Sequence, residues 1–137
     1  MTIANVTAGT LITEAWGNSV ADILNDQNVI ESGSNSNGNY VKLGSGIMVQ
    51  WNYVASQSYP ALSSYGVLYI GTIVSVFPVA FVSPPAVTIG QAQWGTGAGW
   101  GAAFDTTSTQ FNARIYDAYA RSTTTDPFSW VAIGYWS

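Results

Sequence analysis

Six short apolar runs follow one another between residues 47 and 136, and this pattern constrains the fold more than any other feature. The runs span residues 47–53, 67–77, 86–94, 99–104, 110–116 and 129–136. Clusters of Gly, Pro, Ser, Thr or Asp separate them, as expected of turns between strands. The sequence therefore predicts a mainly β protein, a six-stranded antiparallel β-sandwich preceded by a short N-terminal helix.

The first run alternates between two kinds of side chain. Ile47, Val49, Trp51 and Tyr53 occupy one face, and Met48, Gln50 and Asn52 occupy the other. A period of two residues is typical of a half-buried strand. The clearest hairpin connection is at residues 105–110, where Asp105 can open a turn and neighbouring hydroxyls can satisfy its backbone groups.

Residues 1–38 are predicted to form a separate N-terminal segment, and residues 39–137 the β-sandwich. A helix begins at Thr13, a suitable N-cap residue, and a Ser/Gly/Asn-rich linker follows at residues 31–39. The core positions of two heptads are Trp16, Val20, Ile23, Gln27 and Ile30. This stripe could pack on the chain's own domain or gather three chains in a short bundle. The intervening linker favours the bundle.

The charge content excludes several classes of partner. Only 7% of the residues are charged, and Lys42, Arg114 and Arg121 are the three cations in a chain of net charge −4. Without a basic stripe, neither nucleic acid nor an anionic membrane is an expected partner. The apolar run at residues 67–82 contains Gly, Ser, Thr and Pro and is too short to cross a bilayer. The N-terminus lacks the pattern of a signal peptide, so we do not expect export by the secretory route.

The composition also argues against catalysis. The chain has no Cys and no His, which removes thiolate metal sites, cysteine nucleophiles and the commonest general base. Four of the seven carboxylates lie in the predicted helix and linker, away from the sandwich. The sequence therefore predicts that the protein is not an enzyme and binds neither a metal nor another cofactor.

Aromatic side chains, by contrast, are abundant, with six Trp and eight Tyr. Aromatic rings can stack on the apolar face of a sugar while amides and charged groups hold its hydroxyls. Trp94 and Trp100 flank a glycine-rich loop, and either ligand contact or packing between subunits would explain them. A second patch runs from Arg114 to Arg121, and alternation places Arg114 and Tyr116 on one face of its strand and Ile115 on the other. Its candidate ligand-binding residues are Arg114, Tyr116, Asp117, Tyr119 and Arg121. A structural salt bridge between one of these arginines and a nearby aspartate is the competing interpretation.

Four motifs occur in a recognisable order. They are Gly38-Asn-Tyr40-Val-Lys42, Val49-Gln-Trp51, Phe77-Pro-Val-Ala-Phe-Val-Ser-Pro-Pro85 and Ser129-Trp-Val-Ala-Ile-Gly-Tyr-Trp136. Together they resemble the C-terminal receptor-binding domain of bacteriophage tail fibres, a small β-sandwich related to the H-type lectins. The resemblance implies a homotrimer that binds a host surface glycan.

On this interpretation the chain is a virion protein of a fibre or spike, at a tail-fibre tip or on the capsid surface. It would be made in the host cytoplasm without a signal peptide. The N-terminal segment would attach it to other virion proteins, and trimerisation would multiply weak binding of each site. The alternative is a capsid head fibre or decoration protein without a ligand of its own, whose aromatic residues pack against neighbours.

Overall fold

The computed structural model describes Asp22 and residues 28–92 and 99–137. Within these residues it contains nine strands, and neighbouring strands in both sheets are antiparallel. The strands are β1 (Val29–Asn35), β2 (Gly38–Leu43), β3 (Ile47–Tyr59), β4 (Ser63–Tyr65), β5 (Leu68–Val76), β6 (Ala86–Ala92), β7 (Trp100–Phe104), β8 (Gln110–Asp117) and β9 (Thr124–Tyr135). The five-stranded sheet has the order β1-β2-β3-β9-β6, and the four-stranded sheet has the order β4-β5-β8-β7.

The core consists of the inward-facing side chains of the two sheets. Its buried members are Met48, Tyr59, Ile73, Phe77, Phe81, Ala92, Phe111, Ala113, Ile115, Phe128, Trp130 and Ala132. The rings of Phe77 and Trp130 meet edge to face with centroids 5.6 Å apart, and Phe111 lies 5.4 Å from Trp130. Such aromatic pairs contribute about 1 kcal/mol each beyond the area that they bury. The mainly β prediction is confirmed.

The loop between β5 and β6 closes one end of the core. Phe77 and Phe81 point inward from it, and both are almost fully buried. The backbone N–H groups of these two residues donate to carbonyls of the β7–β8 connection, at 2.9 Å to Thr109 and 2.8 Å to Ser108. The side chain of Gln50, buried in β3, reaches the same loop at Val79. The loop is therefore fixed by backbone bonds on one side and a side-chain amide on the other.

Two glycines of the sequence motifs are required by close contacts. A Cβ on Gly134 would lie 2.8 Å from Phe81 Cδ1 and 2.9 Å from Pro85 Cβ. Gly38 has a φ of +134°, and a Cβ there would lie 2.5 Å from the Trp51 carbonyl oxygen. A side chain at either position would displace its neighbours. The third and fourth motifs are thus in direct contact.

The predicted strand number was too low. All six predicted runs form strands, but β1, β2 and β4 were missed. The stretch at residues 31–39, predicted as a flexible linker, contributes instead to the β1–β2 hairpin. Every residue of β1 is exposed, so its sequence carries no alternation of buried and exposed positions. It is held by backbone pairing with β2, which polar residues can provide as well as apolar ones.

The helical assignment of Ile30 was also wrong, because Ile30 lies in β1 and is exposed at the register shift between Val29 and Glu31. The other four heptad positions, Trp16, Val20, Ile23 and Gln27, lie outside the described residues. The N-terminal helix and a role of all five residues in oligomerisation therefore stay predictions.

The two faces of β3 are separated as predicted, but the buried face is the more polar one. Met48 and Gln50 are fully buried, whereas Trp51 and Tyr53 are 40% and 60% exposed. Gln50 can be buried because Val79 satisfies its amide, so the core accepts a polar residue here. The apolar side chains of β3 consequently point away from the core.

The predicted hairpin at residues 105–110 is confirmed as the connection between β7 and β8. Asp105 adopts a positive φ of 45°, a conformation that Asp tolerates better than most residues. The Thr107 hydroxyl accepts from the Gln110 N–H at 3.1 Å, while the Thr107 N–H donates to the Gln110 carbonyl at 2.8 Å. The hydroxyl therefore satisfies a backbone group of the turn, as expected.

Candidate functional site

Three of the predicted ligand-binding residues come together on the outer face of the four-stranded sheet. Alternation along β8 turns Phe111, Ala113 and Ile115 into the core and leaves Arg114 and Tyr116 on the opposite side. Strand β7 pairs with β8 so that Trp100 lies opposite Tyr116, and Ala102 lies opposite Arg114. We call the surface formed by Trp100, Phe104, Arg114 and Tyr116 the aromatic–arginine face.

The rings of Trp100 and Tyr116 are stacked across the two strands. Their centroids are 5.6 Å apart and their planes differ by 13°. Trp100 is 48% exposed, although it is one of the largest apolar side chains in the chain. Stacking on Tyr116 restricts the indole without burying it, so a flat apolar surface remains available to a ligand.

Arg114 lies beside this stack and has no ionic partner within the described residues. Its guanidinium carbon is 4.2 Å from the centroid of the Phe104 ring, a cation–π contact. The Nε atom is buried and has no hydrogen-bond partner among the residues that the structure describes. The ring therefore fixes the position of the guanidinium group, but no carboxylate in the described part of the chain neutralises it.

Asp117, Tyr119 and Arg121 form a separate cluster at the end of β8. Asp117 is fully buried, and its carboxylate accepts from the Tyr119 backbone N–H at 2.8 Å and from Arg121 Nε at 2.9 Å. The Arg121 guanidinium also lies 5.6 Å from the Tyr119 ring centroid. These contacts stabilise the β8–β9 connection. The competing interpretation of a structural salt bridge is thus confirmed for Arg121, and ligand contact by these three residues stays a prediction.

The remaining candidate, Trp94, lies outside the described residues. Sequence reasoning missed Phe104, whose contact with Arg114 follows from the register of β7 against β8. Its alternation with Trp100 and Ala102 along β7 was the available signal.

An uncharged cleft of about 330 Å³ opens between β3 and β5. Side-chain amides of Asn37, Asn52 and Gln57 line it, and Phe128 and Trp130 contribute to its wall. It contains none of the predicted ligand-binding residues. Its neutral polar groups could hydrogen-bond to a ligand.

The outer face of the five-stranded sheet is strongly apolar. Its β3 and β9 residues lie opposite one another, with Val49 across from Ile133 and Trp51 across from Val131. We call this surface the apolar outer face. Its members are Ile47, Val49, Trp51, Tyr53, Val131, Ile133 and Tyr135. No member carries a charge, and exposed apolar patches of this kind typically mark interaction surfaces.

A charged cluster joins the first hairpin to the C-terminal strand. Lys42 Nζ lies 2.8 Å from Glu31 Oε2 and 5.6 Å from the Trp136 ring centroid. The Tyr40 hydroxyl donates to the other Glu31 oxygen. The hydrogen bond from Lys42, and to a smaller extent the one from Tyr40, lowers the pKa of Glu31. The hydrogen bond between Tyr40 and Glu31 also raises the pKa of Tyr40. The motif Gly38-Asn-Tyr40-Val-Lys42 therefore has a structural role in this hairpin.

No grouping of three or more His, Cys, Asp or Glu side chains among the described residues could hold a metal ion. Among those same residues, no helix has the length and apolar character needed to span a membrane.

Solved structures with a similar fold are fibre domains of pyocins. An N-truncated R1-type pyocin tail fibre matches 93% of this chain and 99% of its own, with 18% identity and a TM-score of 0.53. C-terminal fragments of the P. aeruginosa R1 and R2 pyocin fibres match 88% of this chain, with 19% and 18% identity and TM-scores of 0.53 and 0.50. The chain spans 31% and 29% of those two fragments.

No protein-family model and no curated protein matches the sequence. The structural similarity nevertheless confirms, at the level of fold, the resemblance to the C-terminal domains of tail fibres.

Proposed function

We propose that this chain is a fibre or spike domain of a virion that binds a host cell-surface glycan through the aromatic–arginine face. The observation that carries the proposal is the exposed Trp100–Tyr116 stack beside Arg114, which has no carboxylate partner among the described residues. A flat aromatic surface next to a fixed hydrogen-bond donor suits a pyranose, which has an apolar face and polar edges. The tail-fibre-like fold supports a place on the virion, at a tail-fibre tip or on the capsid surface.

The working unit in this proposal is a homotrimer, assembled through the apolar outer face. Other copies of the chain fit this face, because uncharged surfaces of identical subunits can pack together without burying an unpaired charge. Contact with identical chains would remove Trp51, Ile133 and Tyr135 from water. The aromatic–arginine face lies on the other sheet and would remain open, so three binding sites could act together.

Binding of glycans by purified protein tests the proposal. Trp100→Ala should weaken binding to host cells and to a glycan identified on an array by roughly tenfold, the scale of one lost aromatic stacking contact. Trp51→Ala is the matched control, since it removes another exposed tryptophan from the opposite sheet. It should change the oligomeric state but leave the affinity of each site for a soluble glycan intact. Equal binding by wild type and Trp100→Ala would refute the proposed site.

The alternative is a capsid head fibre or decoration protein without its own ligand, and the apolar outer face is the feature that favours it. In that case Trp51→Ala would prevent incorporation into particles. Trp100→Ala would then leave adsorption of those particles to host cells unchanged. Antibody labelling of intact particles would distinguish a tail tip from a capsid location.

A further inference from the structure

We infer that the glycan bound at the aromatic–arginine face carries a carboxylate, as a uronic acid or a sialic acid does, and that Arg114 binds this carboxylate. The inference rests on the proposed function and specifies the chemical class of its ligand.

The first argument is the distribution of charge. Lys42 is paired with Glu31, and Arg121 is paired with Asp117. Arg114 is thus the one cation of the sequence without a carboxylate partner in the described part of the chain. The connection between β6 and β7, residues 93–98, contains no acidic residue that could supply one. The chain has a net charge of −4, so carboxylates outnumber cations, yet none in the described residues pairs with Arg114. An anionic ligand would complete the pair.

The second argument is the way in which the guanidinium group is held. Its 4.2 Å contact with the Phe104 ring fixes the group in place before any ligand arrives. The Nε atom is buried, so binding would use the terminal nitrogens. A planar guanidinium group donates two parallel hydrogen bonds to a planar carboxylate, and little side-chain entropy is lost when the group is already fixed.

The third argument is the space between the aromatic rings. Along β7 the outward residues are Trp100, Ala102 and Phe104, so a small side chain separates two large ones. Trp100 and Phe104 are four residues apart, on the order of 13 Å between their Cα atoms. The gap over Ala102 is bordered by the Trp100–Tyr116 stack on one side and by Phe104 with Arg114 on the other.

Polar groups suited to the sugar hydroxyls are also present on this face. Thr72 lies across from Arg114 on β5 and is exposed, and Asn112 lies across from Phe104. A sugar in the gap could therefore meet an aromatic ring, a guanidinium group and neutral hydrogen-bonding groups at once. Because neither Thr72 nor Asn112 is charged, the selection for an acidic sugar would depend on Arg114.

The test compares acidic glycans with their own neutral derivatives. Oligosaccharides of galacturonate, glucuronate and N-acetylneuraminate are titrated into the full chain, alongside the same compounds with each carboxyl group reduced to an alcohol. At least one acidic compound should bind roughly tenfold or more tightly than its reduced form, as expected for a charge-assisted pair. Added NaCl should diminish this difference, since salt screens an exposed ion pair.

Two variants assign the effect to Arg114. Arg114→Gln should abolish the preference, so that the acidic compound and its reduced form bind to this variant with equal affinity. Arg114→Lys retains the charge but not the planar group, so it should retain only part of the preference. Circular dichroism and thermal melting establish whether each variant is folded. If Arg114→Gln is unfolded, the preference for the acidic compound over its reduced form is measured in Arg114→Lys instead.

Failure of this inference can be told apart from failure of the proposed function. If no acidic compound binds more tightly than its reduced form, or if the preference survives in Arg114→Gln, the inference is overturned. Binding of neutral glycans that is lost in Trp100→Ala would in that case still support the proposed site. Absence of binding by every glycan, acidic or neutral, would overturn the inference and count against glycan binding itself.

Discussion

The side-chain amide of Gln50 pairs with both backbone groups of Val79, although the two residues are 29 positions apart. Gln50 Nε2 donates to the Val79 carbonyl at 2.6 Å, and Gln50 Oε1 accepts from the Val79 N–H at 3.2 Å. Gln50 is fully buried, so these bonds replace those that water would make. A side chain thus takes the place of a neighbouring strand and holds the β5–β6 loop against the core.

Replacement of Gln50 by leucine tests this relationship. Gln50→Leu keeps a similar volume but leaves the Val79 N–H and carbonyl, which are partly buried, without the partners that Gln50 supplies. We expect the free energy of unfolding to fall by about 3 kcal/mol, measured by urea denaturation. Gln110→Leu, at an exposed glutamine, is the control and should change it by less than about 0.5 kcal/mol. Equal stability of the two variants would mean that the amide pair contributes nothing.

Gly134→Ala should destabilise the protein through a steric clash. The new methyl group would lie 2.8 Å from Phe81 Cδ1 and 2.9 Å from Pro85 Cβ, in a part of the core that has no spare volume. Overpacking of this kind costs about 1–3 kcal/mol, which thermal melting would report. Combining it with Phe81→Leu should give a smaller loss than the sum of the two single changes. Strict additivity would argue against a clash with the Phe81 ring.

The β1–β2 hairpin should lose stability in acid. The hydrogen bond from Lys42, followed by that from Tyr40, lowers the pKa of Glu31 below its ordinary value of 4.5. A carboxyl group whose pKa is lowered by folding contributes stability that is fully present above the unfolded-state pKa and is lost as the pH falls through the folded-state pKa. Amide hydrogen exchange in β1 and β2 should therefore accelerate in that range.

Glu31→Gln provides the control for this pH dependence. It removes the titrating group, so exchange in its hairpin should already be faster near neutral pH. After correction for intrinsic exchange rates, it should not accelerate further in acid. The same acid-induced change in wild type and Glu31→Gln would assign the effect to another group.

Trimer formation should depend on the apolar outer face. Ile133→Lys introduces a charge at a 51% exposed position of that face, and burying it against another chain would be costly. We expect a monomer by light scattering coupled to size-exclusion chromatography. Val74→Lys places the same charge on an exposed position of the four-stranded sheet and should leave the oligomer intact. A trimer in the Ile133→Lys variant would exclude this face as the interface.

The parts of the fold that were predicted correctly are those with a repeating burial pattern. Strand β8 alternates between core and surface along its whole length, and this alternation was sufficient to separate Arg114 from Ile115. The hairpin at residues 105–110 was predicted from the turn preference of Asp and from the hydroxyls that follow it. Local chemistry decided both cases, so a single sequence contained the necessary information.

The errors arose where distant partners determine the structure. The sequence around Gln50 shows an apolar face and a polar one, and the polar face is the buried one because Val79 satisfies Gln50 from another part of the chain. Polar strand β1 could be recognised only through its pairing with β2. Likewise, the aromatic–arginine face was predicted in part, since Arg114 and Tyr116 share one strand, whereas the contribution of Phe104 depends on the register between two strands.

The registers of the five-stranded sheet place the start of β1 and the end of β9 at the same end of the sandwich. Val29 lies opposite Leu43, and Ile47, just beyond the following turn, lies opposite Tyr135. The β5–β6 loop hydrogen-bonds to both Tyr135 and Thr109, so the start of β8 lies at this same end. The Trp100–Tyr116 pair, near the end of β8, therefore lies toward the other end. A dye, a surface tether or a fused reporter joined after Ser137 would therefore emerge away from these rings. The domain could be immobilised on a sensor or a bead through a tag placed after Ser137, with the Trp100–Tyr116 pair at the far end from the tag.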